Sequence, residues 1–173
     1  VMTNGCTKHV SAPGYSHEGM WRPYMSGSMD GSFEAMFPSI VEWVDDHYRT
    51  KAKKAYRAIA GLSMGGFHSM QISKEYPTMF DYVGLFSAAI FRGKEGVETY
   101  ANTEAKLERQ FQEGVKLYWI GIGKDDFLYA ENVRYRALLD SEGYPYTYRE
   151  SEGGHVWRNW RIYLGEYAQL LFK

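Results

Sequence analysis

The residues most able to do chemistry in this sequence surround Ser63, within the hexapeptide Gly61-Leu62-Ser63-Met64-Gly65-Gly66. Residues 56–60 before it predict a short strand, and residues 67–76 after it predict a helix that ends before Pro77. A G-x-S-x-G turn between a strand and a helix strains the serine backbone and lifts the hydroxyl clear of the sheet. We therefore expect Ser63 to be a nucleophile. We also expect any side chain at Gly61 or Gly65 to collide with neighbouring backbone.

A serine hydroxyl is a weak nucleophile at neutral pH, so this chemistry also requires a base and an acid that orients the base. Asp126 follows an apolar, strand-like run at residues 115–122, and His155 follows an alternating run at residues 144–149. The order serine, acid, histidine, each after a successive strand, is that of α/β-hydrolases. Two glycines before His155 allow its loop to carry the imidazole back over Ser63.

The acid has two candidates, because Asp125 and Asp126 are adjacent. Neighbouring residues that leave a strand point to opposite sides, so only one of them can reach His155. We favour Asp126 and keep Asp125 as the alternative, with the other carboxylate solvated in the turn. The amide of Met64, at the start of the helix, is the expected donor to a developing oxyanion.

Aromatic residues near these positions are candidates for substrate contacts. Trp21 and Tyr24 lie in a long amino-terminal loop, and Trp157 and Trp160 follow His155 closely. Loops above the ends of strands often form the pocket in such folds. The alternative for Trp157 and Trp160 is that they anchor the closing helix in the core.

Strand-like and helix-like segments alternate along the rest of the chain, which predicts a mostly parallel sheet with helices on both faces. A break or kink is expected at Pro38. The closing helix should carry one apolar face, formed by Trp160, Tyr163, Leu164, Tyr167 and Leu171. The predicted helices are residues 38–49, 95–112, 131–140 and 156–172, and the further predicted strands are 82–87, 115–122 and 144–149.

Composition restricts the function classes. The 173 residues suit a single domain, and a net charge of -1 with a pI near 6.6 argues against a nucleic-acid partner. No apolar run is long enough to span a membrane, and Cys6, the single cysteine, cannot form an internal disulfide. No H-E-x-x-H motif is present, so no metal site is expected.

Three motifs together resemble the esterase D-like "putative esterase" family, and most of all its feruloyl and acetyl xylan esterases of plant cell-wall degradation. They are the Ser63 hexapeptide, Gly123-Lys124-Asp125-Asp126-Phe127 and Gly153-Gly154-His155-Val156-Trp157. The resemblance implies a three-layer α/β-hydrolase sandwich with Ser63 as nucleophile, His155 as base, Asp126 as acid and the Met64 amide as oxyanion donor. It implies no cofactor.

The substrate implied by the resemblance is a feruloyl or acetyl ester on a saccharide, which would favour a secreted or periplasmic protein. The same motif occurs in S-formylglutathione hydrolases, siderophore esterases and acyltransferases, which remain alternatives. A non-catalytic carbohydrate-binding relative is a further alternative, against which the intact Ser63, Asp126 and His155 argue.

One departure from the family lies at the start of the chain, where residues 1–5 are similar to a strand end from the middle of the family's domain. We therefore expect residues 1–173 to be the carboxyl-terminal portion of one esterase domain. It would lack the first strands and the second oxyanion donor, and would be weakly active or inactive alone. The strand before Ser63 would then have an open edge through which two copies could pair.

Overall fold

A computed structural model describes most of the chain, which divides into two compact units. Ser63, Asp126 and His155 all belong to the second unit. None of the helices in the described ranges combines the length and the hydrophobicity that a membrane span requires. The described residues are 1–3, 29–91 and 93–173, and the units are Val1–Thr50 with Arg92–Thr103, and Lys51–Phe91 with Glu104–Lys173.

Helix α1 of the first unit spans Ser32–His47 and contains Pro38. Of the break or kink predicted at Pro38, the break is wrong, because the helix begins six residues earlier and continues through the proline. A proline removes one backbone hydrogen bond and crowds the preceding turn. An edge-to-face contact between Phe33 and Phe37, with ring centroids 5.6 Å apart, supports this part of the helix.

The helix predicted over residues 95–112 forms only in its second half, as α3 (Thr103–Gln112). A short 3-10 helix, Glu98–Tyr100, precedes it. Gly96 and Asn102 have φ angles of 80° and 53°, which lie in the left-handed region. A right-handed helix cannot pass through such residues, so the segment before Thr103 forms turns instead.

The second unit contains a sheet of four parallel strands in the order β1-β2-β3-β4. Each neighbouring pair is parallel and in sequence order, as the alternation of elements predicted. The strands are β1 (Ala58–Leu62), β2 (Tyr82–Phe86), β3 (Leu117–Gly123) and β4 (Thr147–Ser151). The other helices are α2 (Met64–Glu75), α4 (Tyr129–Ser141) and α5 (Trp157–Ala168).

Helix α5 covers one face of the sheet with an aromatic cluster. Phe86 packs edge-on against Trp119 and Tyr167, with ring centroids 5.3 and 5.6 Å apart. Leu164 was placed on the same helical face by its spacing, but it is mostly exposed. It directly follows the buried Tyr163, and adjacent positions on a helix point in different directions. The cluster consists of Tyr82, Phe86, Trp119, Trp160, Tyr163 and Tyr167, with Leu171 packed against it.

Helix α4 packs on the opposite face of the sheet. Tyr118 of β3 and Tyr135 of α4 are buried and share a hydrogen bond of 2.7 Å between their hydroxyls. Successive strand residues alternate between faces, so Tyr118 lies opposite Trp119 and the α5 cluster. Helices therefore flank the sheet on both sides, which confirms the predicted α/β architecture.

Among the strands that the structure describes, β1 is the outermost at its side of the sheet. Within the described ranges it pairs with β2 alone. Because Ser63 directly follows this strand, the predicted nucleophile lies beside the outermost strand of the described sheet. Whether a second copy pairs there stays a prediction.

Lys74, near the end of α2, is a buried lysine whose charge should control stability. Burial, and then repulsion from Lys106, lower the pKa of Lys74 from 10.5 to about 7, while Glu75 opposes this shift. Between pH 7 and 10.5 the unfolded chain binds a proton that the folded chain does not, so stability rises with pH across this range. Below pH 7 the buried charge costs the most.

We expect Lys74→Met to raise the free energy of unfolding at pH 6 by on the order of 3 to 5 kcal/mol, and by much less above pH 10. Urea unfolding at several pH values measures this difference. Lys53→Met is the control, because Lys53 is exposed. If the stability of the two variants depended on pH in the same way, Lys74 would not be the buried lysine with the lowered pKa.

Candidate active site

Ser63 occupies the sharp turn between β1, which ends at Leu62, and α2, which begins at Met64. Its φ and ψ angles are 52° and -117°, a region that costs a non-glycine residue about 1 to 3 kcal/mol. Hydrogen bonds hold the turn, since the Ser63 amide donates to the Phe86 carbonyl at 2.9 Å and its carbonyl accepts from the Ala89 amide at 2.9 Å. The strained strand–turn–helix expected from the sequence is therefore present.

The glycines around Ser63 do not contribute equally to this turn. A Cβ atom at Gly61 would lie 2.2 Å from the backbone carbon and oxygen of Gly65, and one at Gly66 would lie 2.5 Å from the Cβ of Ala88. A Cβ atom at Gly65 would meet nothing within 4 Å. The prediction of a collision at Gly65 is therefore wrong. Gly65 supplies the backbone that crowds Gly61, while its own Cβ position faces open space.

We expect Gly61→Ala to lower the free energy of unfolding by at least about 2 kcal/mol, because rigid backbone cannot yield to the added methyl group. Gly65→Ala is the matched control. It should be neutral or stabilising by up to about 1 kcal/mol, since alanine is favoured over glycine within a helix. Urea unfolding of both variants tests the pair, and a Gly65→Ala variant less stable than Gly61→Ala would refute this account.

The acid and the base meet at the carboxyl ends of β3 and β4. Nδ1 of His155 lies 2.9 Å from Oδ2 and 3.1 Å from Oδ1 of Asp126. Asp125 is exposed, and its amide donates to the Gly153 carbonyl at 3.1 Å. The structure thus brings Asp126, and not Asp125, to His155. Because a carboxylate only accepts, Nδ1 carries the proton and Nε2 can accept one.

Opposing effects determine the charge of Asp126. Burial alone would raise its pKa, but the hydrogen bond from His155 and one of 2.9 Å from the Leu128 amide outweigh burial, so the pKa is lowered overall. The buried Ser87 hydroxyl also lowers it, although this contact falls short of hydrogen-bond geometry. Asp126 is therefore a carboxylate at neutral pH, the form that stabilises an imidazolium.

Ser63 and His155 are not joined by a hydrogen bond in the part of the chain that the structure describes. In unliganded enzymes such bonds are often long and shorten only when substrate binds. Met64 is the first residue of α2, at the positive end of the helix dipole. The catalytic roles of Ser63 and Met64 stay predictions from their positions.

Aromatic rings surround the imidazole of His155. Trp160 is 8% exposed and packs edge-on to His155 with ring centroids 4.9 Å apart, so it belongs to the core. Trp157 is 65% exposed and packs on Trp160. Phe127 is 74% exposed, yet its ring centroid lies 4.7 Å from that of His155. Phe127 was not predicted, although its position directly after Asp126 placed it beside the base.

The other proposed contacts, Trp21 and Tyr24, lie outside the described residues. Among those described, no group of three or more histidine, cysteine, aspartate or glutamate side chains is arranged to hold a metal ion.

Comparison with known proteins shows that most of this chain matches one protein family. The model of the family described as "Putative esterase" matches residues 35–168. The chain belongs to this esterase family. The match includes Ser63, Asp126 and His155, as well as α5.

Two curated relatives of this chain are named for ester hydrolysis. An "endo-1,4-beta-xylanase/feruloyl esterase" of Xylanibacter ruminicola is 32% identical over 90% of this chain, which spans 20% of that protein. An "acetyl esterase" of Caldicellulosiruptor saccharolyticus is 27% identical over 78% of this chain, which spans 61% of that protein. The chain is thus shorter than both relatives.

The fold of this chain also matches solved structures. One is the ferulic acid esterase AmCE1/Fae1A of Anaeromyces mucronatus in complex with ferulic acid, with a TM-score of 0.70. It is 21% identical, and the match covers 86% of this chain and 56% of that one. At this identity the likeness shows the fold alone.

Proposed function

We propose that this chain carries the catalytic triad of a serine carboxylesterase. The observation that supports it best is the buried Asp126 carboxylate bonded to Nδ1 of His155 at the carboxyl end of the sheet. The carboxyl ends of parallel strands lie at the same end of a sheet. Ser63 follows the carboxyl end of β1 in a strained turn, so it lies at that end too. The proposal therefore assigns Ser63, His155 and Asp126 as nucleophile, base and acid.

In the first step Oγ of Ser63 attacks the ester carbonyl while Nε2 of His155 takes the hydroxyl proton. Asp126 stays ionised and stabilises the imidazolium. The Met64 amide, at the start of α2, donates to the tetrahedral oxyanion. Nε2 then returns its proton to the departing alcohol, which leaves Ser63 acylated.

In the second step water replaces the alcohol. Nε2 of His155 removes a proton from the water while the water oxygen attacks the acyl group on Ser63. The second tetrahedral intermediate breaks down with return of that proton to Oγ. The products are the free acid and the original enzyme.

The proposed substrates are feruloyl or acetyl esters of plant cell-wall polysaccharide. The names of the two curated relatives support this class. The exposed rings of Phe127 and Trp157 near the base provide flat apolar surface on which an aromatic acid or a sugar ring could pack. These contacts act on binding and not on the chemical steps.

Comparison of hydrolysis rates across esters tests the proposal. The panel is methyl ferulate, acetylated xylan, S-formylglutathione and tributyrin, assayed with the full-length protein. The highest kcat/KM is expected for methyl ferulate or acetylated xylan. If none of the four esters is hydrolysed, the proposed esterase activity is rejected. A preference for S-formylglutathione would reject only the assigned substrate class.

A further inference from the structure

His155 lies in a short loop between β4 and α5, so its position depends on whatever holds that loop. The loop covers residues 152–156. Its Glu152 side chain pairs with Lys124 at 2.8 Å, but both side chains are at least half exposed. Exposed ion pairs contribute little to rigidity. The loop therefore needs a buried anchor if the imidazole is to keep one orientation.

Asn159, in the first turn of α5, provides such an anchor. It is 2% exposed, and its Nδ2 atom donates to the Glu152 carbonyl at 3.1 Å and to the Gly154 carbonyl at 3.0 Å. Both acceptors are backbone oxygens, so Nδ2, and not Oδ1, must face them. The Gly154 carbonyl belongs to the peptide bond that leads directly into His155.

The Gly153 carbonyl lies between the Glu152 and Gly154 carbonyls in the chain, and it is bonded to the loop that carries Asp126. The Gly153 carbonyl accepts from the amide of Asp125, at 3.1 Å. A Cβ atom at Gly123 would lie 2.1 Å from the Gly153 oxygen, which shows how closely the two loops approach. Successive carbonyls of the histidine loop thus bond alternately to α5 and to the loop that carries the acid.

We propose that Asn159 is a positioning residue that fixes the backbone before His155 and thereby the distance from its imidazole to Asp126 and Ser63. This inference rests on the proposed function. Removal of the Asn159 amide would leave two backbone carbonyls without their donor, and the loop would move to find water. A displacement of about 1 Å in a catalytic group can cost about 100-fold in rate.

Asn159→Ala, and the nearly isosteric Asn159→Asp, should each lower kcat for methyl ferulate or another accepted ester by roughly 10- to 100-fold, with little change in KM. Steady-state kinetics of the full-length protein measure both constants. Tyr163→Phe is the matched control. It removes a 2.5 Å bond from α5 to Ser151, directly before the loop, and should leave kcat unchanged.

A double variant separates positioning from general loss of structure. If Asn159 acts through His155, adding Asn159→Ala to His155→Ala should not lower the residual rate further. An equal fractional loss in both backgrounds, or a kcat for Asn159→Ala within about twofold of that of Tyr163→Phe, would overturn the inference. Unchanged activity of His155→Ala itself would instead reject the proposed function.

Discussion

Replacing Ser63 with alanine should lower kcat for ester hydrolysis by roughly 10⁶-fold. The residual rate would be that of substrate bound in a site without a nucleophile. Alanine leaves the strained turn and the Met64 amide in place, so the loss reports the hydroxyl alone. The same variant should lose covalent labelling by a fluorophosphonate probe. Initial rates on an ester from the panel and gel detection of the labelled protein measure the two effects.

Ser73→Ala is the control for this prediction. Ser73 is buried within α2, and among the described residues its hydroxyl donates to the carbonyl of Met70, at 3.2 Å. Its loss should leave hydrolysis and labelling within about twofold of the original protein, because surface and helical hydroxyls outside the site affect mainly stability. Persistent labelling of the Ser63→Ala variant would show that another residue is the nucleophile.

The sequence was sufficient to predict the parts of the site that depend on local pattern. The glycine spacing around Ser63 predicted a strained turn, and the chain indeed has φ 52° at that residue. Alternation along a strand predicted that only one of Asp125 and Asp126 could reach His155, and the bond from His155 to Asp126 agrees with the favoured candidate. Both inferences rest on geometry within a few consecutive residues.

The sequence was insufficient where contacts between distant segments decide the outcome. Gly65 belongs to the motif, yet the crowding falls on Gly61, because the direction of each missing Cβ depends on the folded turn. The helix through Pro38 is supported by the contact between Phe33 and Phe37. Leu164 fits the apolar helical face by spacing, yet it is mostly exposed in the folded chain.

Phe127 and Asn159 show the same limit at the site itself. Neither was singled out from the sequence, since Phe127 is one aromatic residue at the end of the Asp126 motif and Asn159 is a single amide in a helix. Each becomes a candidate only when the loops after β3 and β4 are seen side by side. The pairing of Asp126 with His155 could be predicted from motifs, whereas the residues that shape its surroundings require coordinates.

Asp126→Asn should lower kcat by about 10⁴-fold while the protein stays folded. An asparagine amide would donate to Nδ1 of His155, so Nε2 would carry the proton and could not accept one from Ser63. The variant should also change acid stability. Because the pKa of Asp126 is lowered on folding, its contribution is present above the ordinary aspartate pKa and is lost as pH falls through the folded value.

Asp125→Asn provides the matched control, since it makes the same chemical change at the adjacent, exposed position. We expect it to keep kcat within about twofold and to leave the acid unfolding curve unchanged, because exposed carboxylates without buried partners contribute little. The comparison separates loss of a charge from loss of the bond to His155. A large loss of kcat in Asp125→Asn with little change in Asp126→Asn would mean that the bond between His155 and Asp126 is not the one used in catalysis.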